Sequence, residues 1–428
     1  MTHPHRACFP FWFAAAVFGC GGDDASPCAD HCDDPAAPRI ISASAQSVIE
    51  SEAHLAALPD GTLAATWTSR TGPDWLDQGH IGYAFSDDDG DTWSAPAAIG
   101  FPDRDRQVNV KVAGSESGEL YLVWLGRSFS TAPDAIVVAR AAAGERTFEP
   151  PVEVTDPSAG LAYDLPAIAT HRGVVIAAYN QQDPAAETEC FANAIARSDD
   201  AGRTWSRVVA SPCSPDEWLQ NINALCAADT GDRIWLAYVI GTPDKLRVEV
   251  RSSDDGGYTW PDERAVRVSA PAETVAFDPM FCVADADGMS VAYGTTDDEI
   301  VPGVFGKLDA IKVARVSVAG EVTEVDALDP ADGFALHPQI AGAGDDLHVL
   351  YLAGARDGDS TGSLRRIRVG DEQSEAVHAP IRFEQTWGVP GFLGDYFGAV
   401  VTVAGLAIAY PVQTGDSEVH IAFELLEP

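Results

Sequence analysis

Seven short apolar runs, each ending in an aromatic residue, recur along the chain at intervals of 55 to 59 residues. The aromatic residues are Trp67, Trp124, Tyr179, Tyr238, Tyr293, Tyr351 and Tyr410. Most runs follow Gly or Asp and are rich in β-branched or aromatic side chains, which is typical of strands that leave turns. Further strand candidates lie before and after most runs, and no helical pattern is present. The repeat predicts an all-β fold: a β-propeller of seven four-stranded antiparallel blades, or alternatively of six.

The two ends of the repeat region predict how the ring closes. The last repeat has room for three strands, whereas the strand-like segment 39–44 precedes the first repeat and lacks partners. A strand from the N-terminal side that completes the last blade would leave no open sheet edge at the seam. The propeller is therefore expected to span residues 39–428.

The pattern Ser-x-Asp-x-Gly-x-Thr-Trp occurs three times, beginning at Ser86, Ser198 and Ser253. Each copy follows the third strand of its repeat, where a hairpin to the outermost strand is expected. The Asp can accept hydrogen bonds from turn N–H groups, the Gly can take a positive φ, and the Trp can anchor the turn. These motifs resemble the Asp-boxes (BNR repeats) of the sialidase-like propellers. That resemblance implies a structural role on the face opposite the active site.

The first twenty residues resemble a bacterial lipoprotein signal. Arg6 precedes an apolar stretch at 9–18, and Gly19 precedes Cys20. The resemblance implies cleavage before Cys20 and lipidation of Cys20, with ordinary secretion as the alternative. Residues 21–38, rich in Asp, Ala, Pro and Gly, are expected to form a flexible acidic linker. We expect an exported protein that is lipid-anchored to a bacterial membrane, at the outer membrane or cell surface, or else secreted.

The charge of the chain excludes nucleic acid as a partner. There are 65 acidic and 27 basic side chains, giving a formal net charge of -38, which repels phosphate backbones and anionic lipid headgroups. We expect a monomer without a cofactor that contacts a membrane only through its lipid anchor.

Six cysteines remain once Cys8 of the leader and Cys20 are set aside. Export favours disulfides, and no Cys-x-x-Cys pair or histidine cluster indicates a metal site. Cys190 and Cys213 are expected to pair, because both flank strands at the same face. Cys226 and Cys282 lie on neighbouring innermost strands and either pair or remain buried thiols.

Candidate ligand-binding residues lie where the innermost strands begin, on the face called here the upper face. Seven polar residues stand at these positions: His54, Asn109, Asp164, Asn221, Asp278, His337 and Asp395. Propeller ligands generally bind near this mouth of the central channel. Arg70, Arg127 and Arg356 follow the second strands toward the same face. They would either converge on a carboxylate or sulfate or form surface salt bridges.

The resemblance to sialidases implies an arginine triad, a tyrosine nucleophile and a carboxylic acid that donates a proton. Tyr396, which follows Asp395, is the candidate nucleophile, and Asp164 or Asp278 is the candidate proton donor. We therefore expect recognition of a carbohydrate or glycoconjugate at the upper face, with or without sialidase-like glycoside hydrolysis. The alternative is a non-catalytic scaffold for protein interactions at the cell surface.

Overall fold

The computed structural model describes residues 38–427 except for the short segments given next. These are 43–46, 48, 73–77, 129–133, 186–189, 215, 218, 229–230, 232, 243–244, 277, 298–307, 355–360, 383–395 and 415–417. The chain divides into two units, Met1–Pro38 and Arg39–Pro428. The expected signal sequence, the lipidation site Cys20 and the linker up to residue 37 lie outside the described residues.

The strands follow one another in sets of four, each set forming one blade. Before the first set comes β1 (Arg39–Ile40). Blade 1 comprises β2 (Ile49–Ala57), β3 (Leu63–Arg70), β4 (Gly79–Ser86) and β5 (Ala97–Ile99). Blade 2 comprises β6 (Arg106–Gly114), β7 (Leu120–Arg127), β8 (Ala135–Ala141) and β9 (Val152–Glu153). Blade 3 comprises β10 (Ala162–His171), β11 (Val174–Gln182), β12 (Phe191–Ser198) and β13 (Ser206–Ser211). Blade 4 comprises β14 (Leu219–Ala227), β15 (Ile234–Thr242), β16 (Lys245–Ser253) and β17 (Val266–Arg267).

The remaining strands continue the same order. Blade 5 comprises β18 (Phe281–Asp285), β19 (Gly288–Thr295), β20 (Ala310–Ser317) and β21 (Val322–Asp326). Blade 6 comprises β22 (Phe334–Ala343), β23 (Asp346–Gly354), β24 (Thr361–Arg368) and β25 (Glu375–Arg382). The last strands are β26 (Gly398–Val401), β27 (Leu406–Gln413) and β28 (Val419–Leu426). The helices in the described part are short 3-10 turns at Pro157–Ala159, Asp262–Arg264 and Pro330–Asp332, and none of them has the length to cross a membrane.

Hydrogen bonding confirms the all-β propeller of four-stranded antiparallel blades. Blades 2 to 6 are separate four-stranded sheets in which the strands lie in chain order. The other eight strands form one sheet, because Ile49 of β2 pairs in parallel with Val419 of β28 and so joins the last blade to the first. The sequence predicted seven four-stranded blades, whereas the hydrogen-bonded sheets of the described residues are five of four strands and one of eight. β1 pairs antiparallel with β28, which makes the N-terminal strand the fourth strand of blade 7.

The core consists of seven hydrophobic clusters, each lying between consecutive blades, including one between blade 7 and blade 1. Each cluster contains one of the seven aromatic residues that mark the sequence repeat. All seven are at most 1% exposed. Burying a large aromatic side chain contributes about 1.5–3 kcal/mol. Each repeated aromatic residue therefore packs in the hydrophobic cluster of one blade interface.

The three Ser-x-Asp-x-Gly-x-Thr-Trp turns have the hydrogen bonds predicted for them. In the first, the Thr92 N–H and hydroxyl donate to the Asp88 carboxylate over 2.8 and 2.6 Å. The Trp93 indole N–H donates to the Gly90 carbonyl over 3.1 Å, and Gly90 has φ 90°. The other two copies repeat these bonds. The turns join third to fourth strands, which places them on the lower face, opposite the beginnings of the innermost strands.

Candidate ligand-binding site

The mouth of the channel is built from β-bulges in the innermost strands. The register shifts in β2, β6, β10, β14 and β22, at the positions where polar residues were expected. The left-handed backbone recurs at these bulges, at Glu52 (φ 56°), Asn109 (φ 58°), Leu165 (φ 47°) and His337 (φ 53°). Non-glycine residues rarely adopt this conformation, and bulges re-aim the side chains that they carry. The repeated bulge thus sets the direction of the mouth residues.

Two carboxylates near the mouth, Glu52 and Asp278, each hydrogen-bond to the next blade. Glu52 of blade 1 accepts the Asn109 backbone N–H of blade 2 over 2.8 Å and the Thr68 hydroxyl over 2.6 Å. Asp278, just before blade 5, accepts the backbone N–H of His337 in blade 6 over 2.9 Å, and its other oxygen lies 2.7 Å from His337 Nδ1. Asp278 is 2% exposed. Asp278 and His337, both expected at the ligand-binding mouth, are thus buried against each other.

Three expected site residues, Asn109, Arg127 and Asp164, do come together between blades 2 and 3. Arg127 Nη2 donates to Asp164 Oδ2 over 3.1 Å, and Asn109 Nδ2 donates to Asp164 Oδ1 over 3.3 Å. Arg127 Nε lies 3.7 Å from the Asp134 carboxylate. Arg106, at the start of β6, pairs across the sheet with Arg127. We call Arg70, Arg106 and Arg127 the arginine cluster.

The arginine cluster and the carboxylates around it are close enough to influence one another's charge. Burial lowers the pKa of Arg106 to about 10, Glu52 and Asp164 oppose that shift, and the charges of Arg127 and Arg70 lower the pKa further. Burial also raises the pKa of Asp134, and the charge of Asp164 adds to that shift while Arg127 opposes it. Three guanidiniums and three carboxylates thus share one partly buried region.

Sequence reasoning missed Glu52, Arg106 and Asp134. A strict count of fifteen residues back from Trp67 leads to Glu52, whereas the looser count led to His54. His54 lies beyond the bulge, inside the channel, and its Nδ1 accepts the Val112 N–H over 3.3 Å; its expected place at the mouth is corrected. The same count from Tyr238 leads to Asn223, which the bulge of β14 contains. Arg106 is the first residue of β6 and Asp134 immediately precedes β8, and the sequence repeat does not mark these positions.

Tyr396 lies inside the ring. It is 5% exposed, and its hydroxyl donates to the Val110 carbonyl of blade 2 over 2.9 Å. Its ring meets Phe281 edge to face, with centroids 5.8 Å apart. A nucleophilic role therefore requires this hydrogen bond to break. Arg356, Asp395 and the side chain of Asn221 lie outside the described residues.

Two disulfides brace the blades around the channel. Cys190 and Cys213, the pair expected from the sequence, are joined at the upper face of blade 3. Cys226 and Cys282 are also joined and link the innermost strands β14 and β18 of neighbouring blades. The sequence left open whether Cys226 and Cys282 pair or remain buried thiols, and the structure shows that they pair. Among the described residues, no group of three or more His, Cys, Asp or Glu side chains is placed to hold a metal ion.

Comparisons with known proteins support the fold. No protein-family model and no curated protein matches the chain. A Dyadobacter fermentans protein of unknown function matches 91% of this chain and 97% of its own, with TM-score 0.56 at 12% identity. A Penicillium chrysogenum α-L-arabinanase, solved with arabinobiose, gives the same coverages, with TM-score 0.51 at 14% identity. A Hadza microbial sialidase matches 89% of this chain and 66% of its own, with TM-score 0.49 at 14% identity. The chain shares the fold of the first two proteins, at identities that carry no conclusion about activity.

Proposed function

We propose that this protein is an exported sialidase-like Asp-box propeller that recognises a carbohydrate or glycoconjugate at the arginine cluster of its upper face. The observation that carries the proposal is the convergence of Arg106 and Arg127 with Asn109 and Asp164. Guanidinium, amide and carboxylate groups side by side supply both donors and acceptors for sugar hydroxyls. The α-L-arabinanase solved with arabinobiose is an example of this fold with a bound carbohydrate.

An acidic sugar is the ligand that the charges favour. The chain as a whole carries a formal charge of -38, so an anion meets a repulsive general field. A guanidinium pairs with a carboxylate through two parallel hydrogen bonds, which a diffuse positive field does not provide. Arg127 is about one-third exposed and is therefore accessible from solvent. A ligand carboxylate would replace Asp134 or Asp164 as the acceptor of the Arg127 hydrogen bonds.

A glycan array followed by calorimetry tests the proposal. We expect the wild-type protein to retain sialylated or uronic-acid glycans, and Arg127→Ala to weaken binding roughly 10- to 100-fold, because a hydrogen bond to a charged group contributes about 1.5–3 kcal/mol. Arg146→Ala is the matched control: its side chain is 31% exposed against 33% for Arg127, and it pairs with Asp87 at the lower face. Equal affinity of Arg127→Ala and wild type, or retention of no glycan, would reject the proposal and favour the protein-interaction scaffold.

Glycoside hydrolysis is a second candidate, and the carboxyl groups around Arg127 favour it. Burial raises the pKa of Asp134, so this carboxyl holds its proton to higher pH than an ordinary aspartic acid and suits a proton donor. Asp164 accepts hydrogen bonds from Arg127 and Asn109 and would be the second carboxyl group of the pair. If the protein is an enzyme, we expect the wild type to hydrolyse 4-methylumbelliferyl glycosides. Asp134→Asn should then abolish hydrolysis but keep the affinity for the glycan. Binding without turnover identifies a lectin-like protein.

The proposal includes lipid anchoring at Cys20. Mass spectrometry of the protein from a bacterial host that processes lipoproteins should find a lipid-modified N-terminal Cys20, and Cys20→Ala should be released from the membrane. An unmodified N-terminus near residue 20 would identify ordinary secretion. Neither result bears on the glycan site.

A further inference from the structure

The channel contains a cavity whose lining includes none of the arginine-cluster residues. Its volume is about 550 Å³, and innermost strands line it. It runs from His54 and Lys111 toward the lower face, where Asp346 and Val401 stand at its rim. Asp346 is exposed and Val401 is 40% exposed, so the cavity opens to solvent at that face.

Lys111 and two aromatic rings stand at the inner end of this cavity. The ammonium of Lys111 lies 3.3 Å from the ring centroid of Tyr396 and 4.2 Å from that of Phe281. Lys111 belongs to blade 2 and Phe281 to blade 5, so the lysine reaches across the channel. The cation is held by the two ring faces. The cavity therefore has an inner end built from packed side chains.

Two buried amides face the cavity without a protein partner for their oxygens. Gln339 is 4% exposed and Asn223 is 7% exposed, and both line the cavity. Within the described residues, no group donates to Gln339 Oε1 or Asn223 Oδ1. The nitrogen of Asn223 donates to Asn180 Oδ1 over 3.2 Å, which fixes the orientation of its amide. A buried amide oxygen left unpaired costs about 1–3 kcal/mol, so each oxygen calls for a donor from inside the cavity.

His54 adds a donor to the same wall. Its Nδ1 accepts the Val112 N–H over 3.3 Å. Burial, with the nearby Lys111 charge, lowers the pKa of His54 to about 3. The ring is therefore neutral at physiological pH and carries its proton on Nε2, which leaves an N–H donor. The rest of the lining is mostly apolar, including Leu225, Met280 and Phe281.

We propose that this channel cavity is a binding site for a small neutral molecule that carries hydroxyl groups on one side and an apolar surface on the other. Hydroxyl groups donate to the Gln339 and Asn223 oxygens and accept from His54. An apolar surface suits the aliphatic wall. The volume lies within the roughly 300–1,000 Å³ that is typical of small-molecule sites. The Lys111 charge is already engaged by two rings, so the ligand needs no negative charge.

Titration calorimetry with phenyl β-D-glucopyranoside tests the site. We expect binding by the wild-type protein and an affinity at least tenfold lower for Gln339→Leu and for Asn223→Leu. The Gln339 oxygen is buried without a hydrogen-bond partner in the described residues, which has a cost in stability. Gln339→Leu should therefore keep or raise the thermal midpoint of the unliganded protein. Binding should also raise the wild-type midpoint, by mass action.

Gln107→Leu is the matched control. Gln107 is 1% exposed, but its oxygen accepts the Trp124 indole N–H and its nitrogen donates to the Arg104 carbonyl. This variant should lose thermal stability and keep the affinity for the glucoside. Absence of binding at millimolar glucoside overturns the proposal, as does wild-type affinity in Gln339→Leu. A midpoint of Gln339→Leu that falls as far as that of Gln107→Leu also overturns it, because the amide would then be structural.

Discussion

At the scale of single residues, the mouth of the channel is organised by buried carboxylates that bind the neighbouring blade. Glu52 and Asp278 each accept the backbone N–H of a left-handed residue, Asn109 and His337 respectively. The hydrogen bond supports a backbone conformation that costs about 1–3 kcal/mol by itself. Both residues are polar in the sequence, yet their function is to join blades. The ligand site that we propose lies instead at Arg106 and Arg127.

Removing Asp278 should destabilise the ring. Asp278→Ala removes the acceptor of the His337 backbone N–H and the 2.7 Å contact with the His337 ring, and we expect the free energy of unfolding to fall by about 3 kcal/mol. Asp346→Ala is the control, since Asp346 lies 3.4 Å from His348 but its side chain is 65% exposed; its loss should change stability by about 0.5 kcal/mol or less. Urea unfolding measures both. Similar losses in the two variants would contradict the assignment.

Alanine substitutions at two glycines with nearly the same φ distinguish the cost of backbone strain from the cost of a packing clash. Gly61 has φ 89° with open space around it, whereas Gly90 has φ 90° and a Cβ there would overlap the Phe423 ring. Gly61→Ala should cost about 1–2 kcal/mol of stability, the strain of a left-handed alanine. Gly90→Ala should cost about 1–3 kcal/mol more, because Phe423 must move. Equal unfolding free energies for the two variants would show that the turn does not pack as described.

At the scale of elements, strands and turns followed from the sequence, whereas bulges and loops did not. The aromatic residue of each second strand marked a blade interface, and the turn residues Asp88, Gly90 and Trp93 were assigned their contacts correctly. The bulge shifts the register of an innermost strand within a few residues, and the looser count from Trp67 reached His54 instead of Glu52. Arg106 and Asp134 stand at strand edges, where only the folded loops bring them together. The sequence repeat carries no information about which loop residues lie close together in the fold.

Acid should weaken the three lower-face turns. The Thr204 N–H, followed by the Thr204 and Ser198 hydroxyls, lowers the pKa of Asp200 to about 2 from its ordinary 3.8. A lowered pKa means that the carboxylate stabilises the fold above pH 3.8 and loses that effect as the pH falls through about 2. The stability difference between wild type and Asp200→Asn should be constant above about pH 5 and vanish near pH 2. A difference that is independent of pH would contradict this assignment.

The two disulfides should differ in their effect on stability. In the loop-entropy relation, the Cys190–Cys213 bond, with a separation of 23 residues, contributes about 3 kcal/mol, and the Cys226–Cys282 bond, with a separation of 56, contributes about 4 kcal/mol. Replacing each pair with Ala and measuring urea unfolding tests this order. A larger loss from the Cys190 and Cys213 pair would show that local strain or packing outweighs chain entropy.

At the scale of the whole molecule, the strands that close the ring hold together an upper mouth with the arginine cluster and a channel cavity that opens at the lower face. β1 and β28 close the last blade, and the Glu50 carboxylate, 1% exposed, lies 2.8 Å from His420 Nδ1 at the same seam. The upper mouth gathers guanidiniums in a chain of strongly negative net charge, and the lower cavity is mostly apolar with unpaired amide oxygens. Different ligand chemistries are therefore expected at the two faces.

A crystal structure of the protein with the acidic glycan that the array selects tests the central claim most directly. We predict that the sugar carboxylate lies within hydrogen-bond distance of the Arg127 or Arg106 guanidinium, with Asn109 and Asp164 contacting its hydroxyls. A glycan bound at the lower face, at the outer strands or away from both guanidiniums would contradict the account.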